Sequence, residues 1–177
     1  AGIKMCENYY CQYGDEFISV MPTNLYGPND NYDLETSHVL PALIRKVYEA
    51  KIAQVPAVEI WGTGSPKREF LHVDDMADAC LFVMEQVDAP TLYDSLGFTH
   101  LNIGSGTEIS IRELAELIKK FMRFHGELSF DASKPDGTPR KIMDVSTLDE
   151  LGWTYSIGIE EGIQKTIQEF EANPVQS

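Results

Sequence analysis

A chain of 177 residues, 43% of them hydrophobic and with no apolar run of membrane-spanning length, is large enough for a substantial buried core and gives no reason to expect a bilayer partner. Its 28 acidic and 14 basic residues leave a net charge of −14, which argues against a sequence-independent grip on a nucleic-acid backbone. A single nucleotide diphosphate needs only a few local cations, and Arg45, Lys46, Lys67, Arg68, Lys134, Arg140 and Lys141 form three small clusters in the acidic background.

Apolar residues at helical spacing predict a helix over Ile3 to Tyr13, stopped by Gly14. Phe17 to Met21 reads as a strand that breaks into a Pro, Asn and Gly-rich turn, Pro22 to Pro28, and in open α/β sheets ligands sit just beyond such strand ends. Asn29 to Glu35 is polar and is expected at the surface. Val39, Leu40, Leu43, Val47 and Tyr48 predict an amphipathic helix with Pro41 in its first turn, which puts His38 at a loop-to-helix junction. Val58 to Trp61 reads as a strand ending in Gly62-Thr63-Gly64. A helix follows over Val73 to Met84, with Asp74 and Asp75 read as N-terminal caps.

His100 to Ile103 is expected to be a short strand closing in Gly104-Ser105-Gly106, which lacks the third glycine and acidic partner of a dinucleotide fingerprint. Ser110 and Glu113 fit a capping box that opens a helix running to Phe121. Leu128 to Phe130 reads as a strand, Asp136 to Pro139 as a turn, and Ile159 to Ala172 as a final helix. Cys6, Cys11 and Cys80 are odd in number and lack ligand spacing, so they read as reduced thiols of a cytoplasmic protein, with neither a disulfide framework nor a zinc site.

Five blocks carry a more specific signal: Pro22-Thr23-Asn24-Leu25-Tyr26-Gly27-Pro28, Ser37-His38-Val39-Leu40-Pro41, Trp61-Gly62-Thr63-Gly64, Arg68-Glu69-Phe70-Leu71-His72-Val73-Asp74-Asp75, and Lys134 to Lys141. In wording, order and spacing they resemble the GDP-L-fucose synthase branch of the extended short-chain dehydrogenase/reductase family, from Ala1 to about Asn173. The resemblance implies an α/β fold: the later strands of a Rossmann-type doubly wound sheet, plus a small α/β substrate-binding lobe. It also implies that residues 1–177 are the C-terminal portion of an NAD(P)-dependent epimerase/reductase. The glycine-rich dinucleotide-binding part and the Tyr-x-x-x-Lys pair are absent, so this portion is expected to be inactive alone.

The same resemblance assigns roles. His38 is the acid in epimerisation of GDP-4-keto-6-deoxy-D-mannose, and NADPH is the reductant. Pro22, Thr23, Asn24 and Leu25, with His38, shape the cofactor side. Lys46, Trp61, Arg68 and Lys141 hold the GDP-sugar, Lys46 standing where the family commonly has Arg. A homodimer through the helix at Ile3 to Tyr13 is implied as well. Read without the resemblance, each of these residues has an ordinary alternative: a strand-ending turn at Pro22, a packed His38, a core Trp61, a surface ion pair between Arg68 and Glu69. A non-catalytic nucleotide-sugar-binding fragment and a related nucleotide-sugar epimerase or dehydratase are the alternative functions.

Overall fold

The computed structural model describes residues 1–174, over which short parallel strands alternate with helices, as the α/β expectation requires. After α1 (Gly2–Tyr13), strand β1 (Val20–Pro22) pairs in parallel with β5 (Leu101–Ile103). Strand β2 (Asn24–Tyr26) pairs in parallel with the C-terminal half of β4 (Lys67–His72), Asn24 opposite Phe70 and Tyr26 opposite His72. The N-terminal half of β4 is flanked by antiparallel β6 (Glu108–Ser110) and parallel β8 (Arg140–Lys141). A separate parallel pair joins β3 (Ala57–Trp61) to β7 (Glu127–Asp131).

Strands β2 and β4 divide the interior. Successive strand side chains point to opposite faces, so Tyr26 and Phe70 enter one apolar cluster while their neighbours Leu25 and Leu71 enter another. The first cluster lies among α2 (Val39–Ile52), α4 (Ile111–Phe121) and α6 (Ile159–Ala172), together with β3 and β7. The second joins β1 and β5 to α3 (Val73–Gln86) and the short α5 (Ser146–Glu150).

The helices follow from local chemistry. In α2, Pro41 occupies the first turn, where its missing N–H costs nothing, and Leu40, Leu43, Ile44 and Val47 are buried on one face. The expected capping box of α4 is present: the Ser110 hydroxyl accepts from the Glu113 backbone nitrogen, and the Glu113 carboxylate accepts from that of Ser110. Losing such a cap costs about 1 kcal/mol. In α6, Ile163, Ile167 and Phe170 form the buried stripe, and a Cβ at Gly162 would lie 2.0 Å from the Tyr26 hydroxyl, so only glycine lets the helix approach β2 this closely.

Four expectations need correction. The strand expected at Phe17 to Met21 is confined to Val20–Pro22, and Phe17 is exposed. The stretch expected to be a turn contains β2, because pairing with a distant strand outweighs the local turn chemistry of Pro22 and Gly27. Tyr32, in the loop expected at the surface, is only 7% exposed and packs on Phe170 with ring centroids 4.4 Å apart. The Asp pair does not cap α3: the Nδ1 of His72 accepts from the Asp74 backbone nitrogen, while buried Asp75 accepts from the backbone nitrogens of Ser156 and Ile157 and from the Ser156 hydroxyl.

Candidate functional site

Strand β3 delivers Trp61 at its C-terminal end, and the chain then turns through Gly62 (φ 84°) and Gly64 (φ 77°), both in the left-handed region that favours glycine. Between them Thr63 donates from its backbone nitrogen (2.9 Å) and its hydroxyl (2.7 Å) to the two carboxylate oxygens of Asp136. This tether brings the loop at 134–138 over the turn. A cleft of about 250 Å³ opens between the loop, the end of β3 and α2. Val39, Leu43, Ile60 and Ile111 form its apolar wall, and Lys46, Trp61 and Arg68 supply its polar and aromatic groups.

Three of the four residues expected to hold a nucleotide sugar therefore meet in one cleft. The fourth, Lys141, stands opposite Arg68 in the register of β4 and β8. Trp61 is 65% exposed, which rules out the core-packing alternative, and two ammonium groups flank its ring: Lys46 at 5.8 Å and Lys134 at 5.5 Å from the centroid. Arg68 is oriented by donating from Nη1 to the carbonyls of Lys67 (2.7 Å) and Thr138 (2.6 Å).

The seven cations singled out in the sequence divide into two groups. Arg45 pairs with Glu49, and Lys67 and Arg140 share Glu108. Lys46, Arg68, Lys134 and Lys141 make no ion pair among the described residues. The alternative reading of Arg68, a surface pair with Glu69, does not hold, because Glu69 is fully buried and accepts from the backbone nitrogens of Gly106 (2.8 Å) and Met143 (2.9 Å). A chain with net charge −14 thus places Lys46, Lys134 and Arg68, none of them in an ion pair among the described residues, at a cleft edged by one exposed indole, with Lys141 opposite Arg68 in the adjoining strand. That arrangement suits a ligand with an anionic group and a flat ring.

His38 is the N-cap residue of α2, immediately before Val39 of the cleft wall; its side chain is exposed and makes no capping bond, so the packed-histidine alternative does not hold. Pro22 to Leu25 link the end of β1 to β2 and lie at the carboxyl end of the β1–β5 pair. Thr23 and Asn24 spend their side-chain donors on the carbonyl of Glu69, at 3.3 and 2.7 Å, and Leu25 packs in the second apolar cluster. Pro22 remains exposed.

A larger groove of about 590 Å³, with Phe70, Ile109, Leu117 and Ile159 on its floor, contains none of the expected residues. Its lining carries four carboxylates, Glu108, Glu113, Glu116 and Glu160, against one cation, Arg112, whose guanidinium lies over Phe130 and donates to the Thr63 carbonyl, so the excess negative charge would repel a diphosphate. Thr63 and Asp136 were not picked out as site residues in the sequence, and Lys134 was noted only among the seven candidate cations; the Asp136-Gly137 turn marks the loop, but its tether to Thr63 joins positions far apart in the chain.

A sequence profile of the NAD dependent epimerase/dehydratase family matches residues 1–104, and the chain belongs to that family. Within it the chain is similar to GDP-L-fucose synthases. It is 52% identical over 175 residues to a probable GDP-L-fucose synthase 1 of Oryza sativa subsp. japonica, covering 99% of this chain and 51% of that protein. It is 51% identical over 174 residues to the GDP-L-fucose synthase of Escherichia coli K12, covering 98% of this chain and 54% of that one. The chain spans about half the length of these relatives. Among solved structures, a GDP-6-OMe-4-keto-L-xylo-heptose reductase from C. jejuni superposes with a TM-score of 0.88 at 37% identity, over 97% of this chain and 58% of that one. A Naegleria fowleri GDP-L-fucose synthetase bound to NADP gives 0.83 at 30% identity, over 97% and 53%. No helix among the described residues is long and apolar enough to cross a membrane.

Proposed function

We propose that this chain is the substrate-holding, C-terminal portion of a nucleotide-sugar epimerase-reductase that converts GDP-4-keto-6-deoxy-D-mannose to GDP-L-fucose. The observation that carries this reading is a cleft edged by Trp61 and lined by Lys46 and Arg68, with Lys134 over the same indole and Lys141 opposite Arg68 in the strand register, none of the four in an ion pair among the described residues. Arg68 and Lys46 take the diphosphate, Arg68 as a planar fork and Lys46 as a point charge. Trp61 offers its face to a base or sugar.

The ketone at C4 of such a sugar acidifies the protons on C3 and C5. An enolate formed at either carbon needs a proton on the opposite face, and His38, an exposed imidazole at the head of α2, is the group on this chain suited to deliver it. NADPH, when bound, supplies the hydride that reduces C4. The residues present fit one edge of that cofactor: Pro22 gives a rigid exposed shoulder and His38 a titratable ring, while Thr23 and Asn24 hold the linker in place through the carbonyl of Glu69. A homodimer belongs to the same proposal, supported by exposed Met5, Tyr9 and Tyr13 on α1. So does a cytoplasmic location, supported by the three free cysteines.

A second reading, a GDP-heptose reductase, rests on the likeness to the C. jejuni structure. It shares the nucleotide cleft and differs in the carbons exchanged. Titration of the full-length protein with GDP tests the common part. Arg68→Ala and Trp61→Ala should each weaken binding by about tenfold or more without loss of fold, the scale of one charge-assisted or buried aromatic contact. Unchanged GDP affinity in both variants would overturn the assignment of the cleft.

A further inference from the structure

Two glycines flank Thr63, yet every polar atom of that residue is engaged. Its backbone nitrogen and its hydroxyl donate to Oδ1 and Oδ2 of Asp136, at 2.9 and 2.7 Å. The hydroxyl also accepts from the Ser65 backbone nitrogen at 3.1 Å. The Thr63 carbonyl accepts from Nη2 of Arg112 at 2.7 Å, and that guanidinium is itself seated 3.8 Å from the centroid of the Phe130 ring. A Cβ at Gly62 would lie 2.3 Å from Oδ1 of Asp136, so the bare glycine is what lets the carboxylate close over the turn.

The far end of the loop is fastened separately. The Thr138 carbonyl accepts from Nη1 of Arg68 at 2.6 Å, and a Cβ at Gly137 would lie 2.8 Å from Nη2 of the same guanidinium. Asp136 is the one carboxylate among the residues lining the Trp61 cleft, and both of its oxygens go to Thr63. An unengaged carboxylate at that place would oppose an anionic ligand. Two positions earlier, Lys134 holds its ammonium 5.5 Å from the centroid of the Trp61 ring. A long side chain on a loop keeps such a place only when the backbone beneath it is fixed.

We propose that Thr63 is a positioning residue of the nucleotide cleft: through Asp136 it fixes the loop at 134–138, sets Lys134 over the indole and engages the one carboxylate of the cleft lining. The inference rests on the nucleotide reading above for its ligand and adds to it a residue that touches no part of that ligand.

Thr63→Val keeps the outline of the side chain and removes the hydroxyl, whereas Thr63→Ser keeps the hydroxyl. In titration of the full-length protein with GDP, Thr63→Val should bind about three- to tenfold more weakly, the scale of one charge-assisted bond, and Thr63→Ser should stay within about twofold of the wild type. Undiminished affinity in Thr63→Val, or an equal loss in Thr63→Ser, overturns the proposal. A ligand-free measurement separates its failure from that of the nucleotide reading. Trp61 emission is isolated as the difference from the matched Trp61→Phe protein and quenched at low salt with iodide and with neutral acrylamide. The iodide-to-acrylamide ratio should fall by roughly a third in Thr63→Val, because one of the two cations flanking the ring is released, and should recover in Thr63→Ser. A ratio unchanged in Thr63→Val overturns the proposal whether or not GDP binds. A wild type that binds no GDP contradicts the proposed function instead, and the quenching ratio then decides the role of Thr63.

Discussion

Lys46 holds its ammonium 5.8 Å from the ring centroid of Trp61, so helix α2 and the end of β3 present a cation and an indole to the same cleft. Two ligand features are read together there, negative charge and a flat face. Lys46→Ala should weaken GDP binding to the full-length protein about tenfold, as expected for one charge-assisted contact. Lys46→Arg should retain or tighten it, because the planar fork adds a second donor. Equal losses in both variants, read by isothermal titration, would mean that Lys46 does not act through its charge.

Buried Glu69 is the anchor behind this surface. Its carboxylate gathers the backbone nitrogens of Gly106 and Met143, and its own carbonyl accepts from Asn24. Glu69→Gln leaves one carboxamide oxygen for two donors and turns an NH₂ toward the other, so a loss of about 1–3 kcal/mol is expected in chemical denaturation. A loss below about 0.5 kcal/mol, the size of an ordinary surface change, would remove Glu69 from that role.

The strands carrying Arg68 and Lys141 are also joined electrostatically. Glu108 on β6 accepts from Arg140 on β8 (2.6 Å) and from Lys67 on β4 (3.1 Å), and these bonds hold its carboxyl below the ordinary glutamate value of 4.5. A depressed carboxylate pKa contributes stability that is present above the unfolded value and is lost as pH falls through the folded one. Glu108→Gln should therefore be slightly less stable than the wild type at neutral pH, and the gap should close at pH values below 4.5. A gap that persists unchanged in acid would show that the pair is not its source. The effect is small because all three side chains reach solvent.

Helix α1 contains no buried residue, and Met5 (57% exposed), Tyr9 (44%) and Tyr13 (69%) continue into exposed Phe17 (51%). Such a surface favours association. Light scattering after size-exclusion chromatography should find the chain as an oligomer, and Met5→Asp combined with Tyr9→Asp should shift it toward monomer. A dilution-resistant monomer with a cooperative thermal transition would contradict the dimer.

The five long helices were legible because their signals are local, whereas the short α5 was not read from the sequence. The Ser110 and Glu113 cap, the first-turn Pro41 and the stripe of Ile163, Ile167 and Phe170 each lie within a turn or two of a single helix. Strands β2, β4, β6 and β8 were not. Lys67, Arg68 and Glu69 interrupt the apolar pattern of β4, and its partners come from residues 24–26, 108–110 and 140–141, so no sequence window contains the sheet. Three substrate-side residues, Lys46, Trp61 and Arg68, were reachable through family wording and do share a cleft. Lys134 gains its place only through the Thr63–Asp136 tether, which spans 73 positions. The Asp74 and Asp75 pair misled because its composition matches a cap, whereas Asp75 is turned inward to Ser156.

The most direct test is the isotope pattern left on the sugar. The full-length protein is incubated with GDP-4-keto-6-deoxy-D-mannose in D₂O, and the carbon-bound hydrogens are read by NMR. The account predicts deuterium at both C3 and C5, and a large loss of incorporation in His38→Gln while GDP affinity is kept. Undiminished incorporation at both carbons in that variant would contradict His38 as the proton donor, and no exchange in the wild type would contradict the epimerase assignment itself.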